Sequence, residues 1–140
     1  MVKWIAVACV LVSGCAVQPS PFLADVQKGC SEPALRPEYA DCIKIGTLAL
    51  DAIAKPATGR SRVENVYVAL RPYAPYGPTM YGFKDLSPGR KVGETGINSL
   101  ADGAMHSVQM LDFSSQISAR TPSPEELAEA IGKGMLPARS

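Results

Sequence analysis

Three observations predict a small α+β domain for this 140-residue chain. Two stretches, at about residues 37–54 and 99–112, carry apolar side chains at helical spacing. Val63–Arg71 places Val66, Val68 and Leu70 at period two, as a half-buried strand would. Prolines and glycines, twelve of each in the chain, gather between Pro72 and Gly96 and predict a long irregular loop. The expected organisation is a leader at 1–14, a short tether at 15–21, and one globular unit at 22–140 with a frayed C-terminal tail.

Taken in order, the chain begins with Lys3 and an unbroken apolar run from Trp4 to Val12, closed by Ser13, Gly14 and Cys15. Nine apolar residues make about 14 Å of helix at ~1.5 Å per residue, half of the ~30 Å hydrocarbon core. The run therefore reads as the core of a signal peptide and not as a membrane span. Val12-Ser13-Gly14-Cys15 resembles the lipobox of bacterial lipoproteins, with an aliphatic residue and two small ones before a cysteine. The resemblance implies that signal peptidase II cuts before Cys15, that the Cys15 sulfur carries a diacylglycerol, and that the new amino group is acylated with a fatty acid such as palmitate. Two or more acyl chains make a stable anchor, whereas one binds only marginally. In that family the residue directly after the lipid-bearing cysteine, position two of the mature chain, would be an aspartate for inner-membrane retention. The residue following Cys15 here is Ala16, and an outer-membrane, periplasm-facing location is the expectation.

Without Lys3, thirteen basic side chains face thirteen acidic ones, and no long-range attraction for nucleic acid follows. Of four cysteines, Cys9 leaves with the leader and Cys15 is lipidated, so Cys30 and Cys42 remain. In an oxidising compartment they are expected to pair, closing a loop worth about 3 kcal/mol. Metal ligation is the alternative for the two, but no histidine or further cysteine stands near them to complete a zinc set. No cofactor is expected.

Ser20-Pro21 has the order of a helix start, with Phe22, Leu23 and Val26 as the apolar face and Gly29 as the stop. Tyr39, Cys42, Ile43, Gly46, Leu50 and Ile53 then give a helical stripe that leaves only Lys44, Thr47 and Asp51 polar, so that helix should be mostly buried. The strand at about 63–71 needs a partner, and Tyr81–Leu86 or the piece around Val92 are the candidates. Between them, Pro72–Phe83 interleaves four aromatics with prolines and glycines. Tyr73, Tyr76 and Tyr81 are the residues assigned to partner binding, since aromatics enrich interfaces; folding back over the core is the competing role.

Ile97, Leu100, Ala101, Ala104, Met105, Val108 and Leu111 form the second stripe, with Asn98 or Ser99 as cap and Asp102 as the capping-box acid. Ser123-Pro124-Glu125-Glu126 signals a last helix, which Gly132 and Gly134 should end. His106, the sole histidine, falls on the polar side of its helix, where Asp102 would be an exposed i, i+4 ion-pair partner. No Gly-x-Ser-x-Gly elbow or singled-out carboxylate pair accompanies it, and no catalytic residues are assigned.

The segment Cys30–Ala54 is similar to the first helix of small periplasmic immunity proteins that block secreted cell-wall amidases. It shares Cys42 followed by Asp51-Ala52 and a cysteine twelve residues before Cys42. The glycines expected around that helix's aromatic are displaced here, and the family's further helices and third cysteine have no counterpart after Val63. The expectation is thus a non-enzymatic, lipid-anchored envelope protein that binds another periplasmic or membrane protein. The alternative implied by this second resemblance is an inhibitor or immunity protein against a periplasmic or cell-wall hydrolase.

Overall fold

The computed structural model describes residues 22–54, 59–74 and 96–137, and these form five α-helices with no strand among them. They are α1 (Leu23–Cys30), α2 (Tyr39–Ala54), α3 (Arg62–Leu70), α4 (Ile97–Ile117) and α5 (Pro124–Met135). Short 3₁₀ turns precede α2 (Pro33–Glu38) and follow α3 (Arg71–Tyr73). The expected α+β class is therefore overturned: the described protein is a helical bundle.

The strand expected at 63–71 is α3. Val63, Val66 and Leu70, at i, i+3 and i+7, are its buried apolar residues, whereas Val68 is 48% exposed. Both periods were present in the same nine residues, and the local start signal decides between them. Ser61 Oγ accepts from the Glu64 N–H at 3.1 Å, and Glu64 Oε1 accepts from the Ser61 N–H at 2.9 Å. This reciprocal capping box satisfies two backbone donors that a helix start would otherwise leave unpaired. The strand partners proposed at Tyr81–Leu86 and Val92 lie outside the described residues.

α2 is the element that all the others meet. Ile45, Ala49, Leu50 and Ile53 bury its main face, and Lys44 stays exposed as the stripe requires. α1 crosses α2 face to face: Val26 lies over Gly46, and one turn away Cys30 is bonded to Cys42 across a Cα–Cα distance of 5.6 Å. A Cβ on Gly46 would come within 2.7 Å of a Val26 methyl, so the small residue sets how closely the helices approach. The expected disulfide is thus present and staples α1 to the central helix.

α4 and α5 form an antiparallel hairpin joined by residues 118–123. Ala119 makes the turn in the left-handed region at φ 55°, and the Arg120 N–H returns to the Ser115 carbonyl at 2.9 Å. That is a Schellman-type stop built on alanine where glycine is usual. At the far end, Gly134 packs directly on the Gly103 backbone, and a Cβ there would sit 2.8 Å from Ala104 Cα. Gly132 and Gly134 therefore do not end α5, which runs to Met135, itself 2% exposed and part of the core. Met135, the first residue of the expected frayed tail, thus belongs to the core, and residues 138–140 lie outside the described residues.

α4 starts earlier and ends later than the expected 99–112, with Gly96 at its N-cap, so that Asn98 and Ser99 lie inside its first turn and not at the cap position. Every residue from Leu100 to Val108 is buried, including Asp102 at 5% and His106 at 1% exposure. The polar face expected for Asp102 and His106 does not exist as a surface, because α4 is covered on more than one side by α2, α3, α5 and the second 3₁₀ turn.

Candidate functional site

Of the residues assigned to partner contact, Tyr73 closes the 3₁₀ turn after α3. It is half-buried against the core, with the Lys44 ammonium 4.9 Å from its ring centroid. The cation over the ring face holds the turn against α2. Tyr76, Tyr81 and the lipobox cysteine Cys15 lie outside the described residues. Cys30 and Cys42 are both fully buried and joined, so neither offers a free thiol. His106 lies inside the bundle and not on its surface. Among the described residues, no three His, Cys, Asp or Glu side chains gather as a metal site would require.

The structure instead opens a cleft of about 1,100 Å³ between α3, its preceding turn and the C-terminal end of α4. Four arginines line it: Arg60 and Arg62 at the entry to α3, Arg71 at its exit, and Arg120 beyond α4. All four are exposed, and they outnumber the two carboxylates of the lining, Glu64 and Asp112. The fold positions them by backbone devices. The capping box that starts α3 fixes Arg62, whose Nε donates to the Ile53 carbonyl at the end of α2 at 3.1 Å. The α4 stop delivers Arg120, whose guanidinium grips Glu126 in a two-pronged ion pair at 2.8 and 2.9 Å.

Glu126 also accepts from the Ser123 N–H in the α5 capping box. The Arg120 hydrogen bonds, then those from Ser123, hold its carboxyl down at about 2. On the cleft wall, burial and then the charge of Asp112 push the Tyr67 phenol up to about 12. Tyr67 thus lines the cleft as a neutral phenol, as any tyrosine is near neutral pH. Guanidinium groups are weakly hydrated and planar, and they pair with carboxylates or phosphates through two parallel hydrogen bonds. A wall of Arg60, Arg71 and a neutral Tyr67 is chemically suited to an anionic segment.

This cleft was not among the residues singled out from sequence. Arg60, Arg62 and Arg71 are close in the chain, but reading 63–71 as a strand turns successive side chains to opposite faces, and Arg120 is some fifty residues away. The chain matches no protein-family model, no curated protein and no solved structure.

Proposed function

We propose that this chain is a lipid-anchored, non-enzymatic protein of the bacterial cell envelope that acts by holding an acidic segment of another envelope protein in the arginine-lined cleft. The observation that carries the binding part is that Arg60, Arg62 and Arg71 stand with two carboxylates, Glu64 and Asp112, in one large cleft whose fourth arginine, Arg120, is already paired with Glu126. The lipobox at Val12–Cys15 supports the anchor, and the buried disulfide suits an oxidising compartment. The tether from Ala16 to Pro21 reaches at most about 20 Å when extended, so the partner belongs at or near the membrane surface. Tyr76 and Tyr81, which follow the Arg71–Tyr73 turn in the chain, are the further contact residues of this reading.

Metabolic labelling with a palmitate analogue tests the anchor. The wild type takes up label and fractionates with outer membrane, and Cys15→Ala does neither. An unlabelled wild type, or a Cys15→Ala variant that remains in the membrane fraction, contradicts it.

A further inference from the structure

We infer that a second groove, between α1, α2 and α5, docks a basic amphipathic helix of a partner protein. It encloses about 330 Å³ and lies apart from the arginine cleft, sharing none of its lining residues. Phe22 and Ala128, both partly buried, give its accessible apolar lining, over a floor of Val26, Leu35, Leu50, Ile131 and Met135 that the bundle covers almost completely. Asp25 on α1 and Glu125 and Glu129 on α5 stand at its rim, all exposed, and no lysine or arginine is among the lining residues. Glu129 does reach Lys133 at 3.2 Å, but both are about two-thirds exposed, and such a pair exchanges readily for a better partner.

The walls are also unusually low. Gly29 on α1 and Gly132 on α5 line the opening, and a Cβ added at either would meet nothing within 4 Å. Two positions without side chains leave the opening clear for the apolar face of an incoming amphipathic helix. Charge complementarity selects the occupant: apolar anchors enter between α1 and α5 while flanking lysines or arginines meet the three carboxylates. The chain's own Ala16–Pro21 segment carries no cation and is not selected by this rim. The inference does not need the anchor or the arginine cleft to hold.

The test uses full-length protein and two labelled synthetic helical peptides with the same leucine stripe, one flanked by lysines and one by glutamates. Fluorescence anisotropy should show saturable binding of the lysine peptide only. Gly132→Leu, which builds into open space, should weaken it about tenfold or more at an unchanged or raised melting temperature. Neutralising the rim (Asp25→Asn, Glu125→Gln, Glu129→Gln) should weaken it and flatten its salt dependence, whereas Arg60→Gln with Arg71→Gln should not. Equal binding of both peptides, binding indifferent to Gly132→Leu, or no saturable binding would each overturn the proposal. So would self-association that Gly132→Leu disperses, since the occupant would then be a second copy.

Discussion

Gly132 and Gly134 lie two positions apart on α5, yet packing gives them opposite roles. Gly134 rests on the Gly103 backbone and leaves no room for a Cβ, whereas Gly132 faces open space. Gly134→Ala should destabilise by about 2 kcal/mol or more by forcing α4 and α5 apart. Gly132→Ala should stabilise by roughly 0.5–1 kcal/mol, because it removes a glycine from a helix interior. Urea unfolding of the two variants reads both signs. Glu126 supplies a pH test at the same scale. Its folded carboxyl titrates at about 2 against an ordinary 4.5, so its contribution is complete above 4.5 and lost as pH falls towards 2. Glu126→Gln should therefore lower the urea midpoint near neutrality and flatten its fall between those two pH values. An unchanged acid slope would show that the Arg120 pair is not maintained in solution.

Among the elements, the start of α3 shows why part of the fold was legible and part was not. Ser123-Pro124-Glu125-Glu126 reads directly as a helix start and is one, with both reciprocal bonds in place. Ser61-Arg62-Val63-Glu64 carries the same spacing and the same bonds, but the alternation of Val66, Val68 and Leu70 after it competes for the same residues. The stripes of α2 and α4 were long enough for the helical period to outweigh a strand reading. Nothing in a single stripe, however, tells that α4 is enclosed on further sides, and so the burial of Asp102 and His106 could not be read from periodicity. The disulfide was legible because the expected leader and lipidation sites leave only two of the four cysteines to pair, whereas the arginine cleft depends on how α3 and α4 pack. Ser61→Ala should cost about 1 kcal/mol by releasing the α3 cap. Removing the staple with Cys30→Ala and Cys42→Ala should cost about 3 kcal/mol, and reductant should then have no further effect on the unfolding midpoint.

At the scale of the whole molecule, α2 and the α4–α5 hairpin make a core from which two differently charged surfaces open. One is lined by arginines and the other is apolar with a carboxylate rim. Both depend on the bundle for their shape, and neither uses the buried histidine. In the proposed role the arginine cleft holds another envelope protein close to the membrane. The most direct measurement places a photoreactive residue at Val68, an exposed position in the cleft lining, and irradiates intact cells. The expected result is one discrete adduct with an envelope protein, lost when Arg60→Glu and Arg71→Glu reverse the charge of the cleft. No adduct, or an adduct that survives the charge reversal, would contradict it.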